Sequence, residues 1–239
     1  MHAMLPHYAI GDVHGRDDLL ALLLERIVSD HHVHHPAQPG VIVYVGDYID
    51  RGAHSREVVD RVMRGLPVFE TVCLKGNHEE LLLNCFGNEE VHHWEMWLQN
   101  GGEATAASFG LRFKYAEYDA TRLESALGPQ RVQWLRSLKT HYRAGSYFFV
   151  HAGIVPGRPL EEQREKDFLW IRRDFLESEV DHGVRVVHGH TPGPDPVVKP
   201  NRIGIDTGPT YWGTLTAVAL AEAREPRFIT VAGAAGDGG

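Results

Sequence analysis

Four short motifs in this chain combine glycine with aspartate, asparagine and histidine, side chains that bind divalent metal ions through oxygen and nitrogen. They are GDVHG at residues 11–15, GDYIDRG at 46–52, GNHE at 76–79 and HGH at 188–190. At average composition the second motif alone arises by chance in fewer than about one in a million windows. In this order the motifs supply most of a two-metal site, whose typical chemistry is the hydrolysis of phosphate esters.

The first two motifs predict ligands for one ion and a bridge to a second. Asp12 and His14 are two residues apart, so on an extended strand end both side chains point to the same face. Asp47 has two carboxylate oxygens, which can bridge ions about 3.5–4 Å apart. We therefore expect Asp12, His14 and Asp47 around the first ion.

Three further residues provide an amide oxygen and two imidazole nitrogens for the second ion: Asn77, His151 and His190. The combined set holds only oxygen and nitrogen donors, which suits Mn²⁺, Fe or Zn²⁺ and disfavours a soft-metal site. We expect two divalent ions, with Mn²⁺ as the first candidate and Fe or Zn²⁺ as alternatives. Two such ions carry four positive charges, of which Asp12 and Asp47 cancel two, and the excess attracts a hydroxide and a phosphate ester.

Two neighbours of the predicted ligands are candidates for proton transfer and phosphate binding. A hydrogen bond from His78 to Asp50 would keep the imidazole protonated and oriented, so that its other nitrogen protonates the leaving alkoxide. Arg51 follows Asp50 directly and offers a planar fork of donors for phosphate oxygens.

The elements that position these motifs are short β-rich runs that end just before them. Such runs cover 7–10, 41–45, 68–74, 147–150, 184–187 and 203–205, and helical patterns cover 17–28 and 55–63. This alternation predicts an α/β fold of βαβ units around a mixed sheet, with an antiparallel hairpin at 214–220 and 227–231. Ligands of such sheets bind beyond the carboxyl ends of the strands, so the motifs should converge.

Two segments between the motifs carry weaker patterns. Residues 79–110 read as mainly helical, and we expect Trp94 and Trp97 to lie in the core rather than at the substrate. The histidine-rich segment 31–35 is followed by Pro36 and Pro39, which predicts an exposed loop after the first helix.

Bulk composition is that of an ordinary globular protein. The 239 residues are 43% hydrophobic and 23% charged, which predicts one domain over 1–232 and a frayed glycine-rich tail over 233–239. The net charge of −8 argues against nonspecific nucleic-acid binding. The longest early apolar run, 19–24, is too short for a membrane span and has no leader before it, so we expect a cytoplasmic protein. Cys73 and Cys85 are too few for a disulfide scaffold.

The first three motifs resemble the signatures of the phosphoprotein phosphatase branch of calcineurin-like metallophosphoesterases, and most closely those of bacterial and phage serine/threonine phosphatases. The resemblance spans residues 10–213 and includes HAG at 151–153, WIR at 170–172, GHTP at 189–192 and IDTG at 205–208. It implies a β-sandwich of mixed sheets flanked by helices. It also implies the metal ligands and the acid dyad described above, Arg51 as a phosphate clamp and Arg172 as a second phosphate-binding arginine.

The resemblance implies a metal-dependent phosphomonoesterase that attacks phosphorus directly with a hydroxide bridging the two ions. The expected substrate is a phosphoprotein or a small phosphoester, and Glu79 favours the protein phosphatase branch. Because the long extensions of the eukaryotic branch are missing, no regulatory subunit is expected. Two alternatives stay open: a symmetrical diadenosine tetraphosphate hydrolase, and a non-catalytic protein that binds phosphopeptides. Oligomeric state, selectivity for phosphoserine over phosphotyrosine and the role of Tyr211 are also open.

Overall fold

Short runs of β-branched and aromatic residues form two sheets in the computed structural model, which describes residues 4–87, 90–114, 117–221 and 224–235. In chain order the strands are β1 (His7–Ile10), β2 (Gly40–Tyr44), β3 (Phe69–Cys73), β4 (His141–Ala144), β5 (Tyr147–Val150), β6 (Arg185–His188), β7 (Val197–Val198), β8 (Arg202–Gly204), β9 (Thr214–Leu220) and β10 (Arg227–Ala232). The first sheet has the order β10-β9-β1-β2-β3 and the second β4-β5-β6-β8-β7. Strands β1, β2 and β3 are parallel to one another, as are β5, β6 and β8.

Helices cover the outer faces of the sheets. They are α1 (Asp17–His34), α2 (Ser55–Arg64), α3 (Asn77–Asn84), α4 (Val91–Trp97), α5 (Glu103–Ser108), α6 (Ala120–Leu127), α7 (Pro129–Ser137), α8 (Glu165–Trp170) and α9 (Arg173–Leu176). A kinked turn at Leu98–Gly102, in which Gly101 has a φ of 98°, joins α4 to α5, and a short 3₁₀ turn covers Leu160–Glu162. Within the part of the chain that the structure describes, no helix is long and apolar enough to cross a membrane.

The period of two along each strand sorts the core into three layers. Ala9 of β1 and Phe149 of β5 face the space between the sheets, whereas Ile10 packs under the helices of the first sheet and Phe148 under those of the second. Each such apolar side chain contributes about 1.5–3 kcal/mol when fully buried. The result is a sandwich of two mixed sheets flanked by helices, as predicted from the motifs.

Apart from the end of α1, the predicted elements are found with small shifts of their ends. The parallel strands that precede the motifs are all present, and β9 and β10 form the expected antiparallel hairpin. Both cysteines are free, and burial raises the pKa of the Cys73 thiol to about 12. The amide of Gly233 donates to the carbonyl of Gly213, and residues 236–239 of the predicted tail lie outside the described residues.

The prediction of an exposed loop at 31–35 is wrong. Helix α1 continues to His34, and His31 and His35 are buried. His31 lies four residues after Ile27, so it falls on the same buried helix face, where its ring packs against Phe69 with centroids 4.7 Å apart. Its Nε2 pairs with the carbonyl of Gln38 at 2.9 Å, which gives the histidine a polar partner inside the core. The two prolines that suggested a loop follow the helix instead of ending it early.

The segment after the third motif is helical, as predicted, and its tryptophans are in the core. Trp94 and Trp97 are fully buried, and Trp94 stacks on Tyr118 with ring centroids 5.2 Å apart. Trp97 has a polar role as well, because its indole nitrogen reaches Asp50 in the second motif. The segment therefore contributes both to the core and to the site described next.

Candidate active site

The carboxyl ends of parallel strands bring the motifs together, as the alternation of elements predicts. Asp12 follows β1 and Asp47 follows β2, while His151 and His190 follow β5 and β6 of the facing sheet. Asn77 is the first residue of α3, directly after the loop that leaves β3. The six predicted ligands thus arise from both sheets at one end of the sandwich.

Several site residues have backbone conformations that side chains rarely adopt. His14, Asp47, Asp50, Arg51 and His190 all lie in the left-handed region, with φ between 45° and 71°. Each such residue costs of order 1–3 kcal/mol, and it persists only where the surroundings hold it in place. Strain of this kind clusters at functional sites, and here it falls within the predicted motifs.

Three ligand atoms converge in one half of the site. Asn77 Oδ1 lies 2.8 Å from His151 Nε2 and 2.9 Å from His190 Nδ1, and the two ring nitrogens are 3.1 Å apart. His151 donates its Nδ1 proton to the carbonyl of Val45 at 2.9 Å, so its Nε2 carries a lone pair in the neutral ring. Acceptors aimed at one point repel each other unless a cation lies between them. This donor set fits a divalent metal ion.

The other half of the site has the same design around His14. This residue donates its Nδ1 proton to the carbonyl of Ile49 at 2.9 Å, which leaves the Nε2 lone pair facing Asp47 Oδ2 at 3.5 Å. The opposite oxygen, Asp47 Oδ1, lies 3.5 Å from His151 Nε2. Asp47 therefore contributes to both groups of potential ligand atoms, His14 with Asp47 and His78, and Asp47 with His151 and His190.

Asp12 lies beside these groups, where it accepts the backbone amide of His190 at 3.0 Å. Burial, and then the charges of Asp206 and Asp47, raise the pKa of Asp12 well above its ordinary value. Burial also raises the pKa of Asp206 to about 6. Three buried carboxylates in one place are costly unless cations compensate them, so this surplus of negative charge also fits divalent ions.

The histidines of the ligand set are neutral near pH 7. Burial, followed by the charges of Arg51 and His78, holds the pKa of His14 well below its usual range. Burial likewise lowers the pKa of His151 and of His190. Because only the neutral imidazole offers a lone pair, this environment keeps the three rings ready to bind a metal.

The pKa of His78 is shifted in the opposite direction, upward. Its Nδ1 donates to Asp50 Oδ2 at 2.7 Å, and its Nε2 lies 3.8 Å from Asp47 Oδ2. Burial lowers the pKa of His78, but Asp47 and Asp50 outweigh that effect and raise the pKa above its ordinary value. A buried imidazole that is anchored at Nδ1 can act as a general acid when its Nε2 takes up a proton.

The two predicted phosphate-binding arginines lie at opposite halves of the site. The Arg51 guanidinium has one nitrogen 2.6 Å from His14 Nε2 and another 3.1 Å from His78 Nε2. Arg172 is exposed, and its positive charge acts on His151 and His190. The ring of Tyr211 lies near the site, with its centroid 5.6 Å from the Arg51 guanidinium carbon.

Two acidic residues of the site have roles that were not assigned from the sequence. The buried Glu79 carboxylate accepts the backbone amides of Asp47, Tyr48 and Gly76, each at 2.9 Å, and so joins the second motif to the third. Its position three residues after Gly76 is a helix capping signal that could have revealed this role. Asp206 lies two residues after the end of β8, just as Asp12 lies two residues after the end of β1, and that position was the signal for it.

His188 lies outside both groups of ligand atoms, although it shares the last motif with His190. Its Nδ1 pairs with the carbonyl of Gly189 at 3.1 Å, and its Nε2 faces the guanidinium of Arg202 at 3.3 Å. Both ring nitrogens thus have partners away from the site, as expected for a neighbour rather than a ligand.

The sequence profile of the calcineurin-like phosphoesterase family matches residues 5–228. The chain belongs to this family. The match covers almost the whole described sandwich, including every motif discussed above, and it agrees with the fold and with the expectation of a hydrolase that uses divalent metals.

Curated relatives carry two kinds of names. The chain is 27% identical to an asymmetrical bis(5'-nucleosyl)-tetraphosphatase PrpE of Anoxybacillus flavithermus, over 89% of each chain. It is also 27% identical to serine/threonine-protein phosphatase 1 of Salmonella typhimurium, over 89% of this chain and 91% of the relative. A symmetrical bis(5'-nucleosyl)-tetraphosphatase of Methylococcus capsulatus is 35% identical, over 62% of this chain and 43% of the relative. The relatives include members of the phosphoprotein phosphatase family, and their names leave the substrate unresolved.

Solved structures support the fold at greater distance. A cold-active protein-tyrosine phosphatase of a psychrophilic Shewanella superposes with a TM-score of 0.59 over 94% of this chain and 80% of that one, at 17% identity. Similarity at this level shows the common sandwich architecture only.

Proposed function

We propose that this protein is a dinuclear metal-dependent phosphomonoesterase whose substrates are phosphoserine and phosphothreonine in proteins. The observation that carries the proposal is the buried pair of His78 and Asp50, in which the His78 ring also lies within reach of His14 and Asp47. An alkoxide leaves phosphorus about 100- to 10,000-fold faster when a positioned acid protonates it, so an acid at this place serves a serine or threonine ester.

Residues on both sheets would hold the two ions. Asp12, His14 and Asp47 would bind the first ion, and Asp47, Asn77, His151 and His190 the second. When bound, two divalent ions supply an activated water molecule and polarise the phosphoryl oxygens. Mn²⁺ is the proposed metal, because the donor set of carboxylate, amide and imidazole groups suits it, with Fe or Zn²⁺ as alternatives.

The remaining side chains orient the ester and deliver the proton. Arg51 and Arg172, at opposite halves of the site, would bind phosphoryl oxygens with their planar donor forks. Asp50 holds His78 by Nδ1, which leaves the Nε2 proton for the departing oxygen. Among the site residues named here no serine or cysteine is placed as a nucleophile, and the reaction proceeds without a covalent phosphoenzyme.

Hydrolysis of a dinucleoside tetraphosphate is the second candidate, because relatives of both the symmetrical and the asymmetrical kind bear that name. Its leaving group is a nucleotide phosphate, which is stable as an anion and needs a positioned acid much less than an alkoxide does. The dyad therefore favours the monoester. Glu79 supports the same choice, because the family resemblance associates glutamate at this position with the protein phosphatase branch.

The test compares purified protein on a phosphoserine peptide and on diadenosine tetraphosphate, each with added Mn²⁺. We expect the higher kcat/KM on the peptide and a loss of about 100- to 10,000-fold on that substrate for His78→Asn, the usual contribution of a general acid. The matched control, His54→Asn, changes an exposed histidine on α2's N-terminal side and should retain full activity.

Three results would contradict the proposal. A higher kcat/KM on the dinucleotide would favour the second candidate, and the nucleotides released would separate symmetrical from asymmetrical cleavage. Full activity of His78→Asn on the peptide would remove the general-acid role. Phosphopeptide binding without turnover in the presence of Mn²⁺ would indicate a non-catalytic binding protein.

A further inference from the structure

The Asp50 oxygen that does not contact His78 is held by two buried side chains from another part of the chain. Thr105 Oγ1 donates to Asp50 Oδ1 at 2.6 Å, and Trp97 Nε1 donates to the same oxygen at 3.1 Å. All three residues are fully buried. We infer that Thr105 and Trp97 are positioning residues that orient Asp50 and, through it, the acid His78. This inference rests on the proposed function.

The Thr105 hydroxyl fixes the backbone of Asp50 as well as its carboxylate. The same oxygen accepts the Asp50 amide at 2.8 Å, and Ser55 Oγ lies 3.2 Å from that amide. Asp50 has a φ of 71°, in a region that a side chain adopts only when its surroundings enforce it. The Thr105 hydroxyl thus restrains both the backbone amide and the carboxylate of Asp50. We infer that this restraint directs Oδ2 toward His78.

The kinked turn at Leu98–Gly102 brings these donors to the second motif. The Gly101 carbonyl accepts the amide of Arg51 at 3.1 Å. A Cβ at Gly101 would lie 2.8 Å from the Arg51 nitrogen, and one at Gly102 would lie 2.5 Å from the Trp97 ring. Gly101 has a φ of 98°, so the chain is kinked at this point and does not continue as a regular helix. The turn thus places this segment in contact with both Asp50 of the proposed acid dyad and Arg51, the proposed phosphate clamp.

A role through Asp50 differs from a purely structural role in its dependence on the leaving group. A misaligned acid slows departure of an alkoxide but has little effect on p-nitrophenolate, which is stable without a proton. Loss of fold or of metal ligands would slow both substrates equally. The ratio of the two kcat values therefore reports on the positioning of His78.

The test measures kcat and KM of the full chain with Mn²⁺ on a phosphoserine peptide and on p-nitrophenyl phosphate. Thr105→Val should lower kcat on the peptide about 10- to 100-fold, as for loss of a hydrogen bond to a charged group, with only a small change on the aryl ester and in KM. Thr105→Ser keeps the hydroxyl and should restore the peptide rate. Trp97→Phe should change the ratio in the same direction.

Two controls separate positioning from stability. Thr216→Val removes another fully buried hydroxyl, one that pairs with Thr207 and Thr230, and should leave the ratio of the two kcat values unchanged. In an Asp50→Asn background, Thr105→Val should cost no further activity on the peptide, because its effect passes through the carboxylate.

Equal losses on both substrates, or losses that add in the double variant, would overturn the positioning role. If Thr105→Val does not fold, Trp97→Phe decides by the same ratio. A wild-type protein that hydrolyses neither ester would instead refute the proposed function, so the two failures give different results.

Discussion

Replacing Gly189 by alanine should move the Asp12 carboxylate without changing any charge in the site. A Cβ at this position would lie 2.0 Å from Asp12 Oδ1 and 3.0 Å from a methyl group of Val45. Carbon and oxygen atoms approach each other to about 3.3 Å at closest, so the new methyl group or the Asp12 carboxylate must move by about 1.3 Å. The backbone at Gly189 is outside the left-handed region, so the steric contact is the only obstacle to alanine.

A displacement of this size is large for a metal ligand. Misplacement by about 1 Å costs about 100-fold in rate in well-aligned active sites. The amide of His190 also loses its acceptor, because it donates to the same carboxylate at 3.0 Å. We therefore expect Gly189→Ala to lower kcat on a phosphomonoester about 100-fold and to raise the Mn²⁺ concentration for half-maximal activity, measured by metal titration of the metal-free protein.

Gly193→Ala is the matched control, because it adds the same methyl group four residues later in the same loop. The nearest atom to its Cβ would be the Asp195 carbonyl oxygen at 3.6 Å, an ordinary contact. Gly189→Ala should lower the free energy of unfolding in urea by about 1–3 kcal/mol, the usual cost of overpacking, and Gly193→Ala should change it less. A Gly189→Ala protein with wild-type rate and metal requirement would show that Asp12 is not a ligand, and the assignment of the first motif would fail.

Three further predictions concern metal, mechanism and pH. Removing divalent ions with EDTA should lower the thermal unfolding midpoint in calorimetry, because ions present at 100 times their Kd stabilise the fold by about 2.7 kcal/mol. Bound ions would also offset the repulsion between Asp12 and Asp206. An unchanged midpoint would argue against a metal site. Hydrolysis in ¹⁸O-labelled water should place one label in the released phosphate under single-turnover conditions, whereas unlabelled phosphate would refute direct attack by water. Burial opposes ionisation of Asp30, but hydrogen bonds from Arg227 and Tyr8 prevail and lower the pKa of its carboxyl group. The contribution of Asp30 to stability is therefore full above about pH 4 and is lost as the pH falls through the folded-state pKa. Tyr8→Phe should weaken this dependence of stability on acid in urea titrations between pH 2 and 6, and an unaltered dependence would exclude the Tyr8 contribution.

The fold and the convergence of the ligands were predictable from local patterns. Each motif follows a strand, and the carboxyl ends of parallel strands share one edge, so chain order alone placed Asp12, Asp47 and Asn77 together. The second sheet follows the same rule for His151 and His190. These predictions succeed because strand alternation and the position after a strand are properties of a few neighbouring residues.

The contacts that hold the site residues in place were not predictable from the sequence, because they are single hydrogen bonds between segments that are distant in the chain. Thr105 is 55 residues from Asp50, and neither its type nor its spacing indicates that its hydroxyl clamps a carboxylate. Trp97 looked like a core residue and is one, yet its ring nitrogen also has a polar partner. The error at 31–35 has a different, local origin, because a proline beyond a helix marks a probable boundary and not a certain one.

The strained residues explain why this support is extensive. Asp47 and Asp50 have left-handed backbones, and their carboxylates face the predicted metal ligands and His78 respectively. Such conformations relax unless other groups fix them, and fixed dipoles are what a site needs in order to stabilise charge without reorganising. Glu79 holds the Asp47 amide, and Thr105 holds the Asp50 amide, each from inside the core. We therefore expect the packing of the surrounding helices to be coupled to the geometry of the proposed site, and buried substitutions in the 97–105 segment should alter activity before they unfold the protein.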